Sequence, residues 1–89
     1  MGATNIHYEV PKKEFESPRA AYRALVEEEE YNYGHDPYSG TIANCNFMGR
    51  VRTPKDRDEY WEIVEQIGKR ECAYYEEEDK WIFVGLAPT

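Results

Sequence analysis

The run Trp81, Ile82, Phe83, Val84 constrains this chain more than any other segment. A strand with one face in water alternates apolar and polar side chains, and four consecutive large apolar residues break that alternation. The last strand is therefore expected to be central in its sheet or to have its second face covered. If the second face is open, it forms an aromatic patch of the kind that marks a partner or dimer interface on a small protein. The 89 residues leave room for one core, so the expectation is a single domain over residues 1–89. A mean hydropathy of −0.89 with 33% charged residues leans toward disorder, but eight Tyr and two Trp supply enough buriable area to fold.

The rest of the chain divides by period and punctuation. Ile6, Tyr8 and Val10 alternate with His7 and Glu9, which predicts a half-buried strand ending at Pro11. Ser17 followed by Pro18 is a helix start, because the serine oxygen can cap an orphan amide and proline's fixed φ suits the first helical position. Ala21, Tyr22, Leu25 and Val26 recur at helical spacing and Gly34 is placed to stop the helix, giving a first helix over 18–32. Residues 41–51 read as a second strand, with Thr41, Ala43, Cys45 and Phe47 on one face and Ile42, Asn44, Asn46 and Met48 on the other. Thr53, Pro54 and Asp56 repeat the start signal, and Tyr60, Val64 and Ile67, flanked by Trp61 and Ile63, predict the buried stripe of a second helix ending at Gly68. Residues 72–75 and 81–87 are strand-like around an acidic segment, which predicts a closing hairpin. The order β-α-β-α-β-β predicts an α+β domain with two helices packed on one face of a small mixed or antiparallel sheet.

Several function classes are excluded at this level. No apolar run approaches the roughly 18 residues of a membrane span, and residues 1–10 lack the basic-then-apolar order of a secretory signal, so a soluble cytoplasmic protein is expected. Cys45 and Cys72 are too few for a disulfide scaffold and lack the spacing of a structural zinc site, which suits a reducing compartment. A net charge of −7 repels phosphate, so direct nucleic-acid binding through a basic face is not expected. No glycine-rich phosphate loop or nucleophile elbow is present, both cysteines read as small buried hydrophobes, and no cofactor is expected.

Three features could carry function. Glu27, Glu28, Glu29 and Glu30 fall in the last turns of the first helix, where the macrodipole disfavours carboxylates. The second helix obeys the dipole, with Asp56, Asp58 and Glu59 at its start and Lys69 and Arg70 just past its end. A local cost accepted on one helix and avoided on the other is expected at a functional surface, although a solvated face relieved by an Arg23–Glu27 pair would look similar. Directly after this run come Tyr31, Tyr33, His35, Asp36, Tyr38 and Ser39 on a helix-to-strand connection. Tyrosines on a loop give large contact area at low entropy cost, whereas Asp36-Pro37 and Ser39-Gly40 are also ordinary turn chemistry. His35 beside Asp36, with Glu29 and Glu30 upstream, could serve as an acid/base pair or metal ligand set, but the spacing matches no established metal motif. The third feature is the run Glu76, Glu77, Glu78, Asp79, which with the first run holds eight of the 18 acidic residues.

The segment from Tyr33 through Gly34, His35, Asp36, Pro37, Tyr38, Ser39, Gly40 and Thr41 to Ile42, joined by Lys80, Trp81, Ile82, Phe83, Val84, Gly85, Leu86 and Ala87, resembles small bacteriophage-type proteins. No activity or catalytic residue comes with that resemblance. It implies a context in which a short acidic domain occupies a host protein or a small signalling molecule. The leading expectation is thus a non-enzymatic acidic binding module, an inhibitor or adaptor, with Glu27, Glu28, Glu30, Tyr31, Tyr33, His35, Asp36 and Tyr38 facing a partner protein's basic site. A homodimer through an aromatic sheet face is a further option. A second expectation is a small-molecule, nucleotide-like sequestering protein in which the tyrosines stack on a ring and Ser39, Asn44 and loop amides hold polar groups. A third is a metal-assisted hydrolase using His35 and Asp36.

Overall fold

The structure is a computed structural model and describes residues 3–33, 42, 45–68 and 70–88. The chain forms strand β1 (Ala3–Pro11), a single 3-10 turn (Lys12–Glu14), helix α1 (Pro18–Tyr33), strand β2 (Asn46–Arg50), helix α2 (Arg57–Gln66) and strands β3 (Glu71–Glu77) and β4 (Lys80–Pro88). This is the α+β domain that the sequence predicts, with two helices on a small mixed sheet. Strand order is β1-β4-β3-β2, with β2 parallel to β3 and the other neighbours antiparallel.

The helix starts are built as the capping residues require. Ser17 Oγ accepts from the Ala20 amide at 3.2 Å, and Asp56 accepts from the Glu59 amide at 2.9 Å. Helix α2 ends at Gln66, with Ile67 as its C-cap.

Strand β4 is central, between β1 and β3, and its two faces go to different cores. Trp81, Phe83 and Ala87 join Ile6, Val10, Cys72 and Ala21 of α1, with Tyr22, Leu25 and Val26 packed against them. Ile82 and Val84 join Ala73, Tyr75 and the α2 residues Ile63 and Val64, together with Ile67. The helices therefore lie on opposite faces of the sheet, and the expectation that they share one face is corrected. The reason is the strand order. The crossover from β1 to β2 traverses the whole sheet in one direction, and the crossover from β2 to β3 steps back in the other. Two crossovers of the same hand must then place their helices on opposite sides. The same finding removes the open aromatic face, because α2 covers it.

The second strand is also shorter than its composition suggests. It begins at Asn46 rather than near residue 41, and Ile42 and Cys45 are both buried in the α1-side core rather than on opposite faces of a strand. Cys45 and Ile42 precede the sheet, with the Cys45 amide donating to the Ile42 carbonyl at 3.1 Å. Register with β3 then shifts between Phe47 and Gly49, and Gly49 takes φ +113, a conformation that favours glycine.

Candidate functional site

Of the residues singled out from the sequence, the structure describes Glu27, Glu28, Glu30 and Tyr31, and the backbone of Tyr33. His35, Asp36, Tyr38, Ser39 and Asn44 lie outside the described residues. Within the acidic turn the four glutamates are not equivalent. Glu29 and Glu30 are half-buried, and Glu29 accepts a hydrogen bond from the Tyr8 hydroxyl at 3.4 Å, reaching from helix to sheet. Tyr8 is pushed up to about 12, first by burial and then by the charge of Glu29. Glu27 and Glu28 are exposed, and no Arg23–Glu27 ion pair forms among the described residues. Tyr31, one turn on, is 90% exposed, the most exposed large hydrophobic side chain among the described residues. The end of α1 thus presents two solvated carboxylates and one bare phenol ring.

The second acidic run behaves differently. Glu76 sits between Lys12 at 3.4 Å and Arg50 at 4.0 Å, on the side of the sheet that α1 covers. Glu77 is 3.9 Å from Lys80 on the other side. The run is partly neutralised within the chain and closes the β3–β4 turn.

A further site is concave and was not evident from the sequence. On the α2 side of the sheet, β1 places Asn5 and His7 beside the start of α2, around an open groove of about 520 Å³. Its walls include His7, Lys55, Arg57, Tyr60, Trp61 and Tyr75. His7 and Tyr60 of the groove begin a polar chain that continues to Glu9 and Lys80 outside it. Tyr60 Oη lies 3.0 Å from His7 Nδ1, His7 Nε2 lies 3.2 Å from Glu9, and Glu9 lies 2.6 Å from Lys80 Nζ. An ionised carboxylate only accepts, so Nε2 carries the proton toward Glu9 and, in the neutral ring, Nδ1 accepts from the tyrosine hydroxyl. Lys80 first, and His7 second, hold Glu9 below the usual carboxylate range, and Glu9 in turn raises Lys80. Burial raises Tyr60, and Tyr75 is pushed up to about 12 by burial and then by the charge of Glu77. Both imidazole nitrogens are engaged, so the ring is held in one orientation in the wall.

The opposite wall is aromatic and cationic. Trp61 is 44% exposed and meets Tyr60 edge-on, with centroids 5.2 Å apart at 90°. The α2 stripe that buries Ile63 and Val64 leaves Trp61 off the core, which corrects its placement beside the buried residues. Lys55 and Arg57 are exposed and have no ion-pair partner among the described residues, whereas Arg52 is held by Glu59 at 3.1 Å and Glu62 at 3.8 Å. The signal available in the sequence was Trp61 itself, one position off the apolar stripe.

The two thiols are buried against one another near the start of β2, and the Cys45 thiol also donates to the Leu86 carbonyl at 3.6 Å. Cys72 is pushed up by its hydrogen bond with Cys45 and then by burial. Among the described residues no group of three or more metal-ligating side chains converges. No helix among them is long and apolar enough to cross a membrane. No protein-family model, curated protein or solved structure matches the chain.

Proposed function

We propose that this chain is a non-enzymatic acidic binding module, an inhibitor or adaptor of phage type, that engages a basic site on a host protein through the end of α1. The observation that carries the reading is the pairing of Tyr31, 90% exposed, with the unpaired carboxylates of Glu27 and Glu28 one turn before it. An exposed aromatic ring is the kind of anchor that dominates interface energetics once buried, and surrounding carboxylates steer a basic partner and accelerate encounter. Glu29 and Glu30 support this surface rather than join it, since both are already engaged within the chain. Tyr33, His35, Asp36 and Tyr38 follow in sequence and extend the proposed contact.

The test is photo-crosslinking in cells with benzoylphenylalanine in place of Tyr31. The expected result is one dominant crosslinked protein with a basic surface, lost when Glu27 and Glu28 are both changed to Lys. A crosslink that survives the double charge reversal, or none at position 31, overturns the reading.

A further inference from the structure

We infer that the groove between α2 and the exposed half of β1 is a binding site for a small planar aromatic ring carrying a phosphate group. The inference is independent of the acidic surface, which lies on the α1 side of the sheet, so either can fail without the other.

The groove supplies the two halves of such a ligand's recognition from opposite ends of one short segment. Trp61 is 44% exposed, and its perpendicular contact with Tyr60 occupies at most one face of the indole. An exposed indole held edge-on by a second ring is a stacking platform with a fixed orientation. Lys55 and Arg57 flank the start of α2 and have no ion-pair partner among the described residues of a chain whose net charge is −7. Two unpaired cations beside a bare aromatic ring match an anion attached to a ring, since neither half alone would use both. Two acids also line the groove, and each has a contact of its own: Asp56 caps the Glu59 amide at 2.9 Å, and Glu77 lies 3.9 Å from Lys80. On the far wall the Tyr60 hydroxyl lies 3.0 Å from His7 Nδ1, and His7 is also tied to Glu9 at 3.2 Å, which fixes the ring before a ligand arrives. A volume of about 520 Å³ accommodates a ring and one phosphate and falls in the ordinary range of small-molecule sites.

The experiment is an NMR titration of the full chain, following the backbone amide resonances of residues 55–62 together with the Trp61 indole, with phenyl phosphate, adenosine monophosphate, adenosine and inorganic phosphate as separate probes. The expected result is saturable shifts with both ring phosphates and at least roughly tenfold weaker binding of adenosine and of phosphate alone, since each lacks one half of the contact. Stronger binding of adenosine monophosphate than of phenyl phosphate identifies a nucleotide as the natural ligand, and equal binding identifies a simple aromatic phosphate. Trp61→Ala should weaken the ring phosphates about tenfold, the usual size of a lost stacking contact. Lys55→Ala with Arg57→Ala should reduce them to the affinity of adenosine. Both sites are exposed, so these variants keep the fold, and unchanged dispersion of the remaining resonances verifies it. No saturable shift at ~5 mM of either ring phosphate, which places any Kd above the millimolar range, overturns the inference. So does binding that neither variant alters.

Discussion

Gly85 offers the sharpest test of how the sheet is assembled. It lies on β4 opposite Cys72 of β3 and Ile6 of β1, and β3 and β4 each pack against a core on both faces. A Cβ added there would lie 2.8 Å from Cys72 Cα and 3.0 Å from Cys72 Cβ, and closer still to the Glu71 carbonyl oxygen. Ordinary contact between such atoms begins near 3.5 Å, so one central strand must move by more than half an ångström. The clashing atoms are backbone, and no rotamer change relieves them. Overpacking of this kind costs about 1–3 kcal/mol and occasionally more, against a gain of roughly 0.4–1 kcal/mol from stiffening the unfolded chain. The net loss for Gly85→Ala then lies between about 0 and 2.6 kcal/mol, and the upper part, about 1.5–2.5 kcal/mol, is expected because β3 and β4 are both pinned on two faces. At roughly 4–8 °C per kcal/mol for a domain of this size, that is a fall in Tm of about 6–20 °C. The assay is urea denaturation followed by tryptophan fluorescence and far-UV circular dichroism, which should give coincident transitions with an unchanged m value. A Gly85→Ala midpoint within about 0.5 kcal/mol of the parent, at the same m, refutes the reasoning and with it the closeness of β3 and β4 at this point.

Three other outcomes are expected. Lys80 and His7 lower Glu9 in the folded state, so the pair's contribution is present above the unfolded carboxylate range and lost as pH falls through the folded value. Urea midpoints of the parent and Glu9→Gln should therefore differ slightly near neutrality and converge in acid; a constant gap would show that the pair is not the source. Tyr8 and Tyr75 are raised to about 12, so their contribution is intact below the unfolded phenol value and lost as pH rises through the folded one. A spectrophotometric titration at alkaline pH should show these two ionising late, and Tyr75→Phe should remove one late step. Finally, both thiols are buried and Cys72 is raised, so Ellman's reagent should react at the rate of unfolding and accelerate with urea. Rapid reaction in buffer would contradict the packing at the start of β2.

Much of the fold was legible because it rests on local rules. Ser17 and Asp56 cap the helices they were expected to start, and the unbroken apolar run of β4 marked a strand buried on both faces. The side on which each helix sits was not legible, because it depends on β4 inserting between β1 and β3, a pairing of residues about as far apart as the chain allows. The span of β2 was not legible for a related reason. Ile42 and Cys45 are apolar for the sake of the α1-side core, and alternation cannot distinguish a strand from an approach to one. The acidic turn was visible as a run of like charge, but only the structure separates exposed Glu27 and Glu28 from Glu29, which Tyr8 engages. The groove was invisible because His7 and Tyr60 stand 53 positions apart and meet only through the sheet.

The register that sets Ala3 against Pro88 has a consequence for how the domain comes to exist. From β2 onward each strand finds its neighbour within a short stretch of chain, but β1 can pair only with β4. Emerging from a ribosome, Ile6, Tyr8 and Val10 have no strand to dock against until residues 80–88 have been made. Closing so long a loop is entropically costly and slow, so β1 should join last in refolding and leave first when amide exchange is followed under native conditions. The groove wall built on Asn5 and His7 would dissolve with it while the hairpin of β3 and β4 persists.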